Sequence, residues 1–281
     1  MAAELGIVVP ALNAARTIAA TLQSLKTMLL AGASVVVVDG GSSDGTAEQV
    51  APFNVPVVQC AGNMYEAINA GCRLLGTSWL TWLNADDVLY GDAVGRRIAG
   101  AGQRHEILYG LVDFIDADGR FLHCWRSAPA ADILRLYRAG YSPLLQQGTV
   151  FRRNLFDRLG GFQSSYRFVA DADFWWRALE KGAVVREMTG PPAAAFRVHP
   201  NQLSRIHYRA MKSEHDRMVQ NHGMKPGWFS GGLPALRFRG RNLGNYLVRQ
   251  CRRRNFDRSW RSVRSYDLPN ADAMCGNASP R

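Results

Sequence analysis

Cysteines are few in this 281-residue sequence, and their spacing fits neither a disulfide framework nor a zinc site. Five are present, an odd number, and no two form a C-x-x-C pair. This pattern argues against a small secreted domain and is typical of a protein that stays in a reducing cytoplasm. Hydrophobic residues make up 47% of the chain, which is enough for a sizeable core.

Long hydrophobic runs are also missing. No uninterrupted apolar stretch approaches the roughly 18 residues that a membrane-spanning helix needs. The apolar residues 5–12 lack the basic start and the cleavage site of a signal peptide. No G-x-G-x-x-G follows this first apolar run, which argues against a dinucleotide-binding domain. We therefore expect a soluble protein, or at most one bound peripherally at the inner face of the plasma membrane.

Acidic residues are nearly absent from one basic segment, residues 237–264. Ten arginines face a single acid, Asp257, so this segment carries +9 of the formal net charge of +11. The rest of the chain is close to neutral, so the net charge indicates what this basic segment binds and says little about the rest of the protein. Apolar residues alternate with the arginines, a pattern that suits an anionic membrane surface. A solvated basic end is the alternative.

Strands and helices alternate in the first third of the chain. The strands are continuous β-branched runs, as in buried parallel sheets, and the helices show apolar residues at helical spacing. Alternation of this kind predicts an α/β fold, a mostly parallel sheet with helices on both faces. The predicted strands are 5–9, 34–39, 55–59 and 79–83, and the predicted helices are 14–29, a helix from Thr46, and 65–75.

The pattern changes after Tyr90. Residues 107–115 and 120–125 predict an antiparallel hairpin, and a helix at 132–139, a strand at 148–152 and a helix at 171–181 follow. From residue 208 the chain is predicted to be helical and basic. The predicted organisation is a main domain, 1–207, with halves of about 1–90 and 91–207, then a basic helical extension, 208–264, and a disordered tail, 265–281.

Polar residues follow three of the predicted parallel strands. They are residues 10–13 after the first strand, Asp39 at the end of the second, and residues 84–87 (Asn-Ala-Asp-Asp) after the fourth. Ligands of open α/β sheets bind at this edge. Asp39 could accept a hydrogen bond from a base or ribose, or simply form a turn. The pair Asp86 and Asp87 suits Mg²⁺ or Mn²⁺, whereas a solvated turn is the plainer alternative.

Two later residues are further candidates. Asp171 precedes or begins a predicted helix, where a carboxylate is either an N-cap or a general base. His199 lies in a predicted loop and could contact a phosphate or a metal ion, although surface histidines are common. Asp173 and Arg177 are four residues apart and predict a helical ion pair.

The order and spacing of these motifs resemble the family-2 glycosyltransferases with a GT-A fold, over roughly residues 5–205, and most of all bacterial members that build surface polysaccharides. The matching pieces are IVVPALNAARTIAATLQSL (7–25), VVVDGGSSDGT (36–46), GNMYEAINAGCRLLGTSWLTWLNADD (62–87), QQGTVFRRNLFDRLGGF (146–162), ADADFWWRAL (170–179) and RVHPNQLS (197–204).

The resemblance implies a role for each matching position. Asn84-Ala85-Asp86-Asp87 takes the place of the D-x-D metal motif, with Asn84 in place of its first aspartate. Asp86 and Asp87, together with His199, are the implied metal ligands. Asp171 falls on the catalytic base, although alanine replaces the glutamate that precedes it in the family. The implied nucleotide-sugar-binding residues are Pro10, Ala11, Asn13, Asp39, Asn63, Asn69, Asn84 and Asp86.

The resemblance therefore implies an inverting transfer from a nucleotide diphosphate sugar, with a UDP-sugar favoured, assisted by Mn²⁺ or Mg²⁺. The acceptor would be a saccharide or a lipid-linked sugar. A sugar-1-phosphate nucleotidyltransferase shares the α/β architecture, but residues 10–13 are not the glycine-rich basic loop that such enzymes carry. A nucleic-acid-binding protein is a third hypothesis, weakened by the nearly neutral body; we expect no specific nucleic-acid partner.

Overall fold

The computed structural model describes residues 4–200, 202–224 and 231–245. Eleven strands lie in two sheets within these residues. In chain order, the strands are β1 (Leu5–Ala11), β2 (Ser34–Asp39), β3 (Val57–Gln59), β4 (Trp79–Trp82), β5 (Val88–Leu89), β6 (Ile107–Tyr109), β7 (Val112–Ile115), β8 (Phe121–Trp125), β9 (Thr149–Arg152), β10 (Val185–Glu187) and β11 (Ala194–Arg197).

Helices connect most of these strands. Short 3-10 turns at Ala51–Phe53, Ala130–Asp132 and Gln146–Gly148 supplement them. The α-helices are α1 (Ile18–Ser24), α2 (Lys26–Leu30), α3 (Thr46–Val50), α4 (Met64–Leu74), α5 (Gly91–Ala99), α6 (Ile133–Arg138), α7 (Arg153–Leu159), α8 (Ala170–Glu180), α9 (Leu203–Ile206), α10 (Tyr208–Asn221) and α11 (Gly232–Arg241).

The central sheet has seven strands in the order β10-β6-β9-β4-β1-β2-β3. Neighbouring strands pair in parallel except at β9, which runs antiparallel to both β4 and β6. Because β1, β2 and β4 are parallel, the residues that follow them lie at one edge of the sheet. This is the carboxyl edge, where open α/β sheets bind their ligands.

Helices cover both faces of this sheet, as the sequence predicts. Alternate residues of β1 point to opposite sides. Ile7 and Val9 belong to one hydrophobic cluster with Leu22 of α1, whereas Val8 belongs to the other cluster with Ile68 of α4. Helix α4 approaches the sheet closely at Gly71, where a Cβ atom would lie 2.5 Å from Val8. The predicted α/β fold is therefore confirmed.

The prediction of one strand over residues 107–115 is wrong. The chain leaves the central sheet after β6 and enters a second, four-stranded sheet at β7, whose order is β5-β11-β7-β8. The crossing point is Gly110, where a Cβ atom would collide with the guanidinium of Arg97. The hairpin itself is present as β7 and β8, which pair antiparallel. Likewise, the helix predicted over 14–29 begins at Ile18 and is divided into α1 and α2.

The described part of the C-terminal extension packs against the main domain. Met218 and Val219 of α10 and Phe238 of α11 are buried in the same cluster as Val8 and Ile68. Among the helices that the structure describes, none has both the length and the apolar character to cross a membrane. Most of the predicted basic segment, and all of the predicted tail 265–281, lie outside the described residues.

Candidate functional site

The loops after β1 and β2 are joined at the carboxyl edge of the sheet. Asn13 adopts a left-handed conformation with φ 50°, and its side-chain oxygen accepts a hydrogen bond from the Ser43 backbone at 3.0 Å. The Ser42 hydroxyl accepts one from the Asn13 backbone at 2.8 Å. Pro10 and Ala11 end β1 in buried positions. Residues 10–13 and 39–43 therefore form one rigid rim.

Asp39 ends β2 and is only 5% exposed. Its carboxylate accepts hydrogen bonds from the backbone and hydroxyl of Ser42, and from the Gln59 amide at 3.0 Å. Burial by itself would raise the pKa of Asp39, but the hydrogen bonds from Ser42 and Gln59 outweigh it and lower the pKa. The Ser42 backbone N–H contacts both carboxylate oxygens, so these bonds hold the Asp39 carboxylate in place at the end of β2.

Asn63 and Asn69 have structural hydrogen bonds. The Asn63 side chain caps α4 by accepting from the backbones of Tyr65 and Glu66, and its amide donates to the Ser164 carbonyl at 2.7 Å. The Asn69 side chain exchanges two hydrogen bonds with the backbone of Phe162, at 2.8 and 2.9 Å. Both residues join α4 to the loop before α8, and their predicted contacts with the nucleotide sugar stay predictions.

Asp87 lies in the loop that follows β4 and is completely buried. Its Oδ1 accepts from the Arg197 backbone at 2.9 Å, and its Oδ2 accepts from the amides of Gln147 at 3.0 Å and Asn84 at 3.1 Å. Burial, and then the charge of Asp86, raise the pKa of Asp87 well above its usual value. Both carboxylate oxygens therefore bond to protein, and the predicted role of Asp87 as a metal ligand stays a prediction.

Asn84 differs from its neighbours in having an unused acceptor. Its amide nitrogen donates to Asp87, which fixes the orientation of the side chain. Its Oδ1 is buried and, within the part of the chain that the structure describes, accepts no hydrogen bond. A buried acceptor without a donor is costly, so this atom is suited to receive a ligand hydroxyl.

Asp86 and His199 are brought together from positions 113 residues apart. Asp86 Oδ2 lies 2.9 Å from His199 Nε2, and the two side chains are 27% and 21% exposed. The Arg197 guanidinium donates to the Asp86 carbonyl at 2.8 Å and so fixes the loop from the other side. The structure brings these two residues together, and their predicted roles as metal ligands stay predictions.

The donor set fits a divalent cation that also binds a ligand. Among the described residues, no cluster of three or more histidine, cysteine or acidic side chains is arranged around a common point. Mg²⁺ typically takes only one or two protein carboxylates and completes its coordination with phosphate oxygens and water. One carboxylate and one imidazole that remain partly exposed meet this requirement, whereas a closed structural metal site would need more ligands.

Asp171 lies in the first turn of α8 and remains partly exposed. Its Oδ1 accepts a hydrogen bond from the Tyr65 hydroxyl at 2.9 Å. Tyr65 is in the first turn of α4, soon after the carboxyl end of β3, so Asp171 is at the ligand-binding edge of the sheet. Burial raises the pKa of Asp171, and the hydrogen bond from Tyr65 partly offsets this rise. A raised pKa suits a general base.

Asp173, two residues further along α8, has a structural role. Its carboxylate pairs with Arg177 at 2.6 Å, which confirms the predicted i,i+4 ion pair, and with His222 at 3.2 Å. Arg177 also donates to the carbonyls of Leu159 and Gly161 at the end of α7. These bonds hold α8 against α7 and thereby fix its first turn.

The sequence did not single out Tyr65, Gln147 or Arg197. Gln147 and Arg197 lie 60 and 110 residues after Asp87, which they contact, so no local pattern reveals the contact. A weak signal existed for these two, because Gln147 immediately precedes a predicted strand and Arg197 lies two residues before His199.

Solved glycosyltransferase structures have the same fold. Staphylococcus aureus TarS bound to UDP superposes with a TM-score of 0.55 at 19% identity; the match covers 77% of this chain and 64% of that one, slightly under two thirds. The mannosyltransferase PcManGT from Pyrobaculum calidifontis, in complex with GDP-Man and Mn²⁺, superposes with a TM-score of 0.57 at 18% identity, covering 79% and 66%. The fold is thus GT-A.

Sequence comparison identifies the family as well as the fold. The PGL/p-HBAD biosynthesis glycosyltransferase of Mycobacterium tuberculosis is 32% identical over 190 residues, which is 64% of this chain and 71% of the relative. Residues 6–160, more than half of the chain, match the family model described as Glycosyl transferase family 2. These residues include the rim around Asp39 and the loop that carries Asp86. The chain therefore belongs to glycosyl transferase family 2.

Proposed function

We propose that the protein transfers a sugar from a nucleotide diphosphate sugar to an acceptor hydroxyl with inversion at the anomeric carbon. The observation that carries the proposal is the shared edge: Asp171, with its raised pKa, lies at the same end of the sheet as Asp39, Asn84 and the pair Asp86–His199. The family match over residues 6–160 favours glycosyl transfer over nucleotidyl transfer.

The rim around Asp39 would bind the nucleoside. Uracil and guanine both present a ring N–H, which is a donor that a carboxylate such as that of Asp39 accepts. We favour a UDP-sugar; TarS was solved with UDP, whereas PcManGT was solved with GDP-Man. The unused Oδ1 of Asn84 would accept a ribose or sugar hydroxyl. The proposed sugar is a hexose or an N-acetylhexosamine.

Asp86 and His199 would hold Mn²⁺ or Mg²⁺. A bound cation would offset the negative charge that develops on the leaving diphosphate. The protein's own contribution is to keep Asp86 in place, through the bond from Arg197 to its carbonyl and through the buried neighbour Asp87. PcManGT, a structural neighbour, was solved with Mn²⁺.

Asp171 would act as the general base. Its carboxylate removes the proton from the acceptor hydroxyl as that oxygen bonds to the anomeric carbon. The bond between this carbon and the diphosphate oxygen breaks on the opposite face, and the nucleotide diphosphate leaves with the electron pair. We propose that the acceptor is a saccharide or lipid-linked sugar in cell-surface polysaccharide synthesis.

We further propose that α11 contacts an anionic membrane surface. Leu233 and Leu236 lie on its outer side, Leu243 follows two residues after its end, and the three are 63%, 65% and 57% exposed. Seven of the ten arginines of the basic segment follow within the next 21 residues of the sequence. Apolar side chains beside many positive charges match the headgroup region of anionic bilayers.

Substitution of Asp171 tests the proposed chemistry. In Asp171→Asn, the amide cannot accept the proton, so turnover should fall by about 10²–10⁴-fold, the usual contribution of a general base. Donor binding, measured by calorimetry with UDP-sugars and Mn²⁺, should be unchanged. The matched control is Asp157→Asn, at an exposed position on α7. Transfer at the wild-type rate by Asp171→Asn would refute the assignment.

A further inference from the structure

The Tyr65 hydroxyl has one proton to donate and lies near two acceptors. It lies 2.9 Å from Asp171 Oδ1 and 3.3 Å from the Phe168 carbonyl. The ring is 2% exposed and packs against Phe162, with ring centroids 5.9 Å apart. Because the ring is fixed, only the O–H bond can rotate, and it can donate to one acceptor at a time.

The charge of Asp171 decides which acceptor receives this proton. A hydrogen bond to an ionised carboxylate is stronger than one to a neutral carbonyl, so the ionised base attracts the donor. Once Asp171 is protonated, that advantage is lost and the Phe168 carbonyl becomes competitive. Tyr65 stays protonated in both states, because burial and the nearby Asp171 charge raise the pKa of its hydroxyl.

The second acceptor is held in place by α10. The Glu214 carboxylate accepts from the backbones of Arg167 at 2.9 Å and Phe168 at 2.6 Å, which fixes the peptide segment that carries the Phe168 carbonyl. The Arg167 and His207 side chains lie against the Phe168 ring.

Other titratable groups also surround the pair. Tyr137 of α6 is close enough for the Asp171 charge to raise its pKa. Asp173, on α8 itself, adds to the rise in the Asp171 pKa, and Glu214 to that of Tyr65.

We propose that Tyr65 is a positioning residue for the general base, donating to Asp171 Oδ1 while the carboxylate is ionised and turning to the Phe168 carbonyl after proton transfer. This inference rests on the proposed role of Asp171. It assigns the proton of the substrate hydroxyl to Asp171 Oδ2, because Tyr65 binds Oδ1. It also makes Tyr65 the side chain that, together with the backbone of Asp171 and Ala172, counteracts burial and keeps the base ionised at moderately acidic pH.

The test is the pH dependence of kcat/KM and kcat in Tyr65→Phe, which keeps the ring and removes only the hydroxyl. In this variant burial raises the pKa of Asp171 without the offsetting hydrogen bond from Tyr65. The acidic limb of the profile should therefore move to higher pH. Loss of a hydrogen bond to a charged group corresponds to about a tenfold change in the ionisation constant of that group. The ratio of wild-type to variant rates should therefore be about tenfold larger on the acidic limb than on the plateau.

Tyr109→Phe is the matched control. This tyrosine is also fully buried and donates to a backbone carbonyl, that of Ala128, at 2.7 Å. We expect its profile to follow the wild type. Thermal unfolding of both variants, and a carbon-13 NMR titration of the Asp171 carboxyl, separate loss of fold from a shifted base.

Two results would overturn the inference. A Tyr65→Phe profile that parallels the wild type at every pH would refute the role of Tyr65 and leave the proposed function intact, provided that Asp171→Asn is inactive. Retained turnover in Asp171→Asn would refute both.

Discussion

At the scale of single residues, two adjacent carboxylates have different surroundings. Asp87 is completely buried and bonds to three donors, whereas Asp86 is partly exposed and contacts His199. Gln147 and Asn84 both aim their amides at Asp87. Asp87 therefore joins the loop after β4 to the 3-10 turn before β9 and to β11, and Asp86 is the more exposed carboxylate of the two.

Alanine substitutions should separate these two roles. Asp87→Ala leaves three buried donors unpaired and should lower the free energy of unfolding by about 2–4 kcal/mol. Asp86→Ala should change it by less than about 1 kcal/mol, yet abolish the Mn²⁺ dependence of donor binding. Chemical denaturation and calorimetry measure the two effects. Equal stability of the two variants would contradict the assignment.

The pH dependence of stability has a defined sign for Asp87. Its pKa in the folded state is raised above the unfolded value, so its contribution to stability is greatest below the unfolded pKa. This contribution is lost as the pH rises through the folded pKa. The decline in unfolding free energy with pH should therefore be less steep in Asp87→Ala than in the wild type.

The positions of the candidate site residues were more predictable than their contacts. Asp39, Asp86 and Asp171 could be found from the sequence because strand ends and helix starts are local features. The pairing of Asp86 with His199 was not predictable from local pattern, since it depends on β11 entering the second sheet beside β5. The enclosure of Asp87 and the role of Tyr65 depend on similarly remote contacts.

At the scale of elements, α4 has a reciprocal N-terminal cap. Asn63 accepts from the Tyr65 and Glu66 backbones, and the Glu66 side chain accepts from the Asn63 backbone at 2.9 Å. This capping box satisfies otherwise unpaired N–H groups and fixes the first turn of the helix. That turn carries Tyr65, so the cap also places the donor that faces Asp171.

Asn63→Ala tests whether this residue has a structural or a ligand-binding role. Loss of the cap and of the bond to Ser164 should lower the unfolding free energy by about 1–2 kcal/mol and leave the donor affinity unchanged. Asn154→Ala, at an exposed position on α7, is the control. Thermal unfolding and calorimetry distinguish the outcomes; a normal unfolding curve with weakened donor binding would favour the predicted contact with the nucleotide sugar.

Elements were predicted well where a periodic pattern is strong. The parallel strands are continuous apolar runs, and α4 has one apolar face, so their positions follow from burial alone. The separation of β6 from β7 was missed because it depends on the Arg97 side chain filling the space beside Gly110. A single glycine between two apolar runs does not reveal that they belong to different sheets.

At the scale of the whole molecule, α11 is attached to the second sheet. Asn242 exchanges two hydrogen bonds with the Arg126 backbone, at 2.9 and 2.8 Å, and Asn245 donates to the Cys124 carbonyl. The first three arginines of the basic segment have partners on the main domain, namely Asp132 for Arg237, Tyr141 for Arg239 and Glu187 for Arg241. The leucine side of α11 is thereby held outward.

Vesicle binding tests this arrangement. The full chain should co-sediment with vesicles that contain phosphatidylglycerol and much less with neutral phosphatidylcholine vesicles, because the arginines need anionic headgroups. Leu236→Glu should reduce the bound fraction several-fold. Leu30→Glu, at a leucine on α2 that is 82% exposed, should leave binding unchanged. Equal loss in both variants would contradict a specific role for α11.

The reversed strand β9 affects how the chain can be divided. It lies between β4 and β6, and Arg153, immediately after it, donates to carbonyls at the end of α4 and before β4. A fragment that ended near residue 90 would leave one side of β4 without its partner and uncover the Trp82 ring. Unpaired apolar strand edges promote aggregation. The segment up to residue 90 is consequently not a separable module, and any truncation intended to isolate it must extend past residue 153.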